Sequence, residues 1–328
     1  SSIDDGPYGI RLDDGKPEYL YLSEPNRLKD LHIKFFNAFP ESKTMLTSRS
    51  TDYSRAVGYV SADDNPGIYY LLDVKKNQIA PLGRFWSKTS YDALAKMEVY
   101  DFKNKHGDLI QSYFTKAVGK ENAPTIIMPH GGPWARDMWG FHPEVQFLAA
   151  EGFNVIQNNI RGSSGYGLKH MKEVYGNFDT VLEDMFDSLD FFNEKGLIDK
   201  SNVCIYGGSY GGYATLMGLV KEPKMYAAGV DYVGVSNMFT FMKTIPPYWE
   251  PMLEMMYEMV GDVEKDSTML REVSPVFHVD KIKAPLFIAQ GANDPRVNVD
   301  ESDQMVKAMK EKGIDVEYLV KKRRRTWL

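Results

Sequence analysis

Hydrophobic and polar positions change period part-way along the chain. Over the first ninety or so residues, short alternating runs predict strands at Glu18–Leu22, Thr44–Ser48, Ala56–Ser61, Ile68–Val74 and Gln78–Leu82. Turn-forming clusters separate them: Asp13-Asp14-Gly15, Asp63-Asp64-Asn65-Pro66-Gly67 and Lys75-Lys76-Asn77. Short strands at such spacing suit a sandwich, a barrel or propeller blades. They are too few to close a propeller, so the segment reads as the tail end of a larger all-β domain.

From about Met97 the pattern changes. Two more strands, Met97–Phe102 and Leu109–Thr115, lead into apolar runs at Thr125–Met128, Asn154–Gln157, Val203–Tyr206, Ala228–Val233, Leu286–Ala289 and Val316–Val320. Helical stretches lie between them. In Val181–Phe192 the residues Val181, Leu182, Met185, Phe186, Leu189 and Phe192 share one face, and another helix is predicted over Asp300–Lys312. Continuous apolar strands alternating with helices predict an α/β fold, a mainly parallel sheet covered on both sides. Sites in such sheets lie at the carboxyl ends of the strands.

The residues with chemistry fall at those ends. Gly207-Gly208-Ser209-Tyr210-Gly211 fits G-x-S-x-G between the strand Val203–Tyr206 and a predicted helix Tyr213–Val220. Such a strand-to-helix turn holds the serine hydroxyl out over the sheet, and its glycines leave room for the strain. His130-Gly131-Gly132-Pro133 follows the strand Thr125–Met128 and is the kind of loop that supplies oxyanion donors, here the N–H groups of Gly132 and Tyr210. His130 itself is expected to brace that loop. Asp294, in Gly291-Ala292-Asn293-Asp294, follows the strand Leu286–Ala289 in the chain order Ser, Asp, His expected of a triad acid. A plain Gly-rich turn at Ser209 and a turn aspartate at Asp294 are the readings these must displace.

Composition narrows the chemistry further. The 328 residues are 43% apolar and 26% charged, an ordinary globular balance, and the net charge of −6 argues against a nucleic-acid partner. No apolar run is long enough to span a membrane. The lone Cys204 excludes an internal disulfide and a multi-cysteine metal site. Neither metal-ligand spacing, a dinucleotide fingerprint nor a phosphate loop is present, so neither metal nor cofactor is expected. The chain opens at Ser1 without a Met or a signal-peptide pattern, which reads as a cut. Compartment, cytoplasmic or periplasmic, and homo-oligomer formation are left open.

Four motifs in order carry a resemblance: His130-Gly131-Gly132-Pro133, the segment from Asn159 to Gly167 (Asn-Ile-Arg-Gly-Ser-Ser-Gly-Tyr-Gly), Gly207 to Tyr213, and Gly291 to Val297, with Ser274-Pro275 between the last two. From about residue 95 to Val320 the chain resembles the prolyl oligopeptidase family, in the branch of acylaminoacyl peptidases and dipeptidyl-peptidase-like enzymes. The resemblance implies an α/β-hydrolase domain over residues 93–328, behind a β-propeller of which residues 1–92 are the C-terminal remnant. It implies cleavage of short peptides through an acyl-enzyme on Ser209. It also places Tyr248 and Trp249 where relatives build a lid or pocket wall, although core packing explains the stretch Tyr248–Met259 equally well.

The same resemblance exposes a gap. The family's histidine lies in a Gly-His-Gly-Phe segment just after the strand Val316–Val320, at the position of Thr326 here. The chain instead reads Lys321-Lys322-Arg323-Arg324-Arg325-Thr326-Trp327-Leu328, and no histidine follows His278. A basic run can be a nucleic-acid or targeting tail. A shifted reading frame explains it better: if the tail were encoded by AAA AAA CGA AGA AGG ACA TGG CTT, one codon choice among those that fit, removing one A from the opening run would give Lys-Asn-Glu-Glu-Gly-His-Gly, with histidine at position 326. The chain as given is therefore expected to be nearly inactive, and poorly soluble for want of a final helix. A catalytically dead peptide-binding protein and a carboxylesterase on the same fold are the competing readings.

Overall fold

The computed structural model of the chain describes residues 6–86, 88 and 90–322. Its contacts divide into two units. One comprises residues up to Val99 with Tyr113–Lys120 and Met138–Phe153; the other comprises Tyr100–Ser112, Glu121–Asp137 and the residues from Asn154 onward.

In the first unit the hairpin β1 (Gly9–Leu12) and β2 (Glu18–Tyr21) is followed by α1 (Arg27–Ala38) and by β3 (Lys43–Arg49), β4 (Arg55–Ala62), β5 (Asn65–Asp73) and β6 (Gln78–Arg84). The last four form an antiparallel meander in chain order. Every strand predicted here is present, but the reading of this segment as purely β missed α1. Asn26 starts that helix, its Oδ1 accepting the Leu28 and Lys29 N–H groups at 2.8 and 3.3 Å. Leu28, Leu31, His32 and Phe35, at helical spacing, are its buried face. Leu28, Leu31 and Phe35 pack on Ala56, Val60 and Leu72 of the meander, which explains why a helix forms: the sheet offers an apolar face that needs a cover.

The strands of the α/β part are β7 (Met97–Lys103), β8 (Leu109–Thr115) and β9 (Thr125–Ile127), then, after α2 (Pro143–Ala150), β10 (Asn154–Asn159). α3 (Leu168–Lys172) and α4 (Glu183–Glu194) precede β11 (Val203–Gly208), α5 (Tyr210–Lys221) and β12 (Ala228–Tyr232). Three short helices, α6 (Met238–Lys243), α7 (Leu253–Val260) and α8 (Ser267–Glu272), lead to β13 (Leu286–Gly291), α9 (Val299–Glu311) and β14 (Val316–Lys321). Among the described residues these strands form one eight-stranded sheet in the order β14-β13-β12-β11-β9-β10-β8-β7. The run from β14 to β10 is parallel throughout. Burial follows the predicted periods: β9 and β10 are buried at every position, and α4 turns Met185, Phe186, Leu189 and Phe192 inward. Because β9, β11, β12, β13 and β14 run in one direction, the turns after them emerge at one edge of the sheet; Gly132, Ser209 and Asp294 lie in such turns, and Tyr210 opens the helix that follows Ser209.

Candidate active site

Ser209 sits between β11 and α5 with φ 57° and ψ −119°. For a residue with a Cβ this backbone conformation costs on the order of 1–3 kcal/mol, so the surroundings must impose it. Two hydrogen bonds hold it: the Ser209 N–H donates to Tyr232 O at 3.0 Å, and its carbonyl accepts the Tyr213 N–H at 3.0 Å. Glycine on either side is a steric requirement. A Cβ on Gly207 would lie 2.3 Å from Gly211 O, and one on Gly211 would lie 2.2 Å from Pro129 O.

The loop after β9 lies against this turn, since a Cβ on Gly131 would come within 3.7 Å of Ser209 Cβ. Gly132 has φ +139°, and a Cβ there would press to 2.8 Å on Trp134 N. The Tyr210 N–H belongs to the first turn of α5, where amides have no intrahelical acceptor. The Tyr210 phenol donates to Phe178 O at 3.0 Å, and its ring packs edge-on against Phe178, which pins the start of the helix.

His130 is turned away from Ser209. Its Nδ1 lies 2.7 Å from Gly131 O and its Nε2 2.8 Å from Ser163 Oγ. A carbonyl can only accept, so Nδ1 carries the proton and Nε2 accepts from the Ser163 hydroxyl. The ring ties the Gly131-Gly132 loop to the 159–167 segment. That segment is itself braced: Asn159 Nδ2 donates to Asp137 O, and the buried Arg161 forks onto Asp184 through Nε and Nη2 at 3.0 Å. The motif spanning Asn159 to Gly167 thus scaffolds the site from behind.

Asp294 follows β13, two strands from β11, which corresponds to roughly 10 Å between strand axes. Its Oδ1 accepts the Arg296 and Val297 N–H groups, both at 2.8 Å. Its Oδ2 is buried and has no hydrogen-bond partner among the described residues. Beside it, the Ala292 N–H donates to Lys321 O at 3.2 Å, so the chain leaves β14 level with the acid's turn. The position of Thr326, where the histidine is expected, and the arginines before it lie outside the described residues. The histidines upstream have other engagements. His32 bonds Tyr21 and Thr44, His106 faces Glu183, His142 caps α2, His170 bonds Ile160 O, and His278 bonds the carbonyls of Arg271 and Glu272.

Two buried carboxyls were not anticipated from the sequence. Asp231, on β12, is 1% exposed. Burial pushes its pKa up to about 7, against the pull of the Gly234 N–H that donates to its Oδ1 at 2.8 Å. Glu301, in the first turn of α9, accepts the N–H groups of Ser236 and Asn237 at 2.9 Å each and bonds the Thr240 hydroxyl. It joins the helix after the acid's turn to the segment that starts α6. An acidic residue in a strand or at a helix N-terminus carries no sequence mark of such burial.

Ser209 opens onto a cavity of about 210 Å³ whose walls are mostly apolar, with Tyr213, Phe241, Trp249 and Val297 among them. Trp249 is thus a wall residue, whereas Tyr248 is 60% exposed and outside the cavity. Among the described residues no cluster of His, Cys, Asp and Glu could hold a metal, and no helix is long and apolar enough to cross a membrane.

A model of the prolyl oligopeptidase family matches residues 139–325. The chain belongs to the prolyl oligopeptidase family. It is 37% identical over 287 residues to dipeptidyl aminopeptidase BIII of Pseudoxanthomonas mexicana, covering 84% of this chain and 42% of that protein. It is 34% identical to dipeptidyl peptidase family member 6 of Caenorhabditis elegans, covering 93% and 45%. The chain therefore spans less than half the length of these relatives. Among solved structures it resembles a Mycobacterium tuberculosis puromycin-hydrolyzing peptidase (TM-score 0.76, 21% identity, covering 95% and 48%) and the Pyrococcus horikoshii acylaminoacyl peptidase (TM-score 0.74, 21% identity, covering 97% and 48%). These likenesses show the α/β-hydrolase fold of the parallel-sheet part, and the antiparallel meander agrees with part of a propeller preceding it.

Proposed function

We propose that residues 93–328 carry the catalytic domain of a serine-type peptidase acting on short peptides, and that residues 1–92 are the C-terminal remnant of its propeller. The observation that carries this reading is the strained, half-buried Ser209, held beside the Gly131-Gly132 loop and open to an apolar cavity. In this reading Ser209 Oγ attacks the scissile carbonyl and the N–H groups of Gly132 and Tyr210 bind the developing oxyanion. The hydroxyl proton passes to an imidazole and then to the leaving amine. Water hydrolyses the acyl-serine, returning the proton to Oγ. Asp294 Oδ2 orients that imidazole and stabilises its cation. The action is of the aminopeptidase, dipeptidyl-peptidase or acylaminoacyl-peptidase type.

In this reading the histidine expected at position 326 supplies the base, and a chain with Thr326 in its place turns over near background. Loss of the triad histidine costs on the order of a million-fold in well-studied proteases. The test is to replace residues 321–328 by Lys-Asn-Glu-Glu-Gly-His-Gly-Phe, which puts histidine at position 326, and to assay short peptide anilides. Hydrolysis should rise by orders of magnitude and vanish again with Ser209→Ala. A folded, repaired chain that cleaves only acyl esters would point to an esterase. One that binds peptides without cleaving them would favour a second reading, a peptide-binding protein, which the missing base supports.

A further inference from the structure

The turn that follows β12 is strained like the turn that carries Ser209, and the two are packed together. Val233 has φ +54°, a left-handed conformation that a β-branched residue adopts only where its surroundings impose it. Three hydrogen bonds hold this turn. The Gly234 N–H donates to Asp231 Oδ1 at 2.8 Å. The Val233 N–H donates to Ala289 O at 3.0 Å, and the Tyr232 carbonyl accepts the Ser209 N–H at 3.0 Å. The acceptor that fixes the backbone of Ser209 therefore belongs to a turn closed by the Asp231 carboxyl.

That carboxyl also fills the junction between the two turns. A Cβ on Gly212, in the first turn of α5, would lie 2.4 Å from Asp231 Oδ1 and 2.6 Å from Gly234 Cα; one on Gly234 would lie 2.3 Å from the same oxygen. Asp231 thus stands against the start of the helix whose Tyr210 N–H is read as an oxyanion donor. Across the sheet it shares a register row with Gly207 of β11, Ile288 of β13 and Tyr318 of β14. The Tyr318 phenol donates to Asp303 of α9 at 2.6 Å. Among the described residues no lysine, arginine or histidine pairs with Asp231, and its Oδ2 is buried without a partner, so nothing there offsets a negative charge. Burial accordingly pushes its pKa up to about 7.

We infer that Asp231 is a positioning residue for Ser209: its neutral carboxyl sets the 231–234 turn that holds the Ser209 N–H, and a negative charge on it opposes the oxyanion that the first turn of α5 stabilises. The inference rests on the reading of Ser209 as the nucleophile. A carboxylate against that turn and an oxyanion above it draw on the same positive helix end. The site therefore carries a second group, besides the imidazole, whose ionisation decides the rate. Asp231 lies outside the cavity lining, so it acts on the chemical step and not on substrate binding.

The test uses the full chain with histidine restored at position 326 as described above, and its Asp231→Asn variant, which keeps an acceptor for Gly234 and cannot ionise. Both are assayed from pH 5 to 9 on a blocked peptide anilide that does not itself titrate, with rates taken per folded chain from circular dichroism at each pH. In the parent, kcat should rise as the imidazole loses its proton and then fall on the order of tenfold as Asp231 ionises. Asp231→Asn should be no faster than the parent at pH 5 and on the order of tenfold faster at pH 9, with the same KM. If that variant fails to fold, Asp231→Ala should also lack the falling limb, at a lower plateau because the Gly234 N–H has lost its acceptor. A falling limb shared by parent and variant, or absent from the parent, would overturn the inference and leave the peptidase reading intact. No Ser209-dependent hydrolysis by the parent at any pH would overturn that reading, and the inference with it.

Discussion

Replacing Asp231 by asparagine isolates the cost of one carboxyl in the sheet. Asp231 is 1% exposed; among the described residues its Oδ1 accepts one hydrogen bond, from Gly234, and its buried Oδ2 has no partner. Burial raises its pKa to about 7 from an ordinary value of 3.8. Below pH 3.8 the carboxyl is protonated in both folded and unfolded chains, and its contribution is at its most favourable. Between 3.8 and 7 the folded chain keeps a proton that the unfolded chain has released, so stability falls as pH rises. Above 7 both forms are ionised and the loss is complete. At about 1.36 kcal/mol per unit, the full span is about 4 kcal/mol, of which roughly 3 kcal/mol falls between pH 5 and 8. Asp231→Asn keeps the acceptor for the Gly234 N–H and cannot ionise. Its buried amide adds a constant cost on the order of 1–3 kcal/mol. Urea unfolding of both chains at pH 5, 6, 7 and 8 yields the difference, in which every other titrating group cancels. The native chain's standing against Asp231→Asn should worsen steadily up to pH 7, with the crossover between about pH 4.5 and 6, so that the asparagine variant is the more stable at pH 7 and 8. Parallel stability curves across that range would refute the assignment of a neutral buried carboxyl.

Other outcomes follow from the same geometry. Ser209→Gly relieves on the order of 1–3 kcal/mol of backbone strain against a glycine entropy cost of about 0.5–1 kcal/mol, so the melting point should rise; an unchanged or lower value would contradict the strain. Gly211→Ala drives a Cβ to 2.2 Å from Pro129 O, backbone against backbone, and should cost about 3 kcal/mol or more in urea unfolding. Asp184→Asn leaves the buried Arg161 guanidinium without its charge partner and should destabilise by about 3–5 kcal/mol; a change under 1 kcal/mol would mean the pair does not brace the site.

Local chemistry made much of the protein legible from its residues. Strand and helix periods depend on neighbours within a few positions, so the runs at Val203–Tyr206, Leu286–Ala289 and Val316–Val320 and the helix after Ser209 are found where the pattern puts them. The site motifs are readable for the same reason. The tight turn at Ser209 needs glycine at 207, where a Cβ would meet Gly211 O four residues on, and an Asn-Asp-Pro turn closes on its own amides. The helix Arg27–Ala38 carries local marks as well, the Asn26 cap and the helical spacing of Leu28, Leu31 and Phe35.

What only the tertiary structure decided are the properties that arise when distant segments meet. Nothing in Asp231's neighbours marks it as buried; its desolvation comes from the sheet and from the close approach of Gly212 and Gly234. His130 stands one residue before an oxyanion-type loop, yet its partner is Ser163, thirty-three positions away. The methionines from 252 to 259 read equally well as core or pocket until packing left a space beside Ser209 for them to enclose. Hydrogen-bond partners, burial and cavity shape depend on which faces the fold brings together, and local sequence carries no record of that choice.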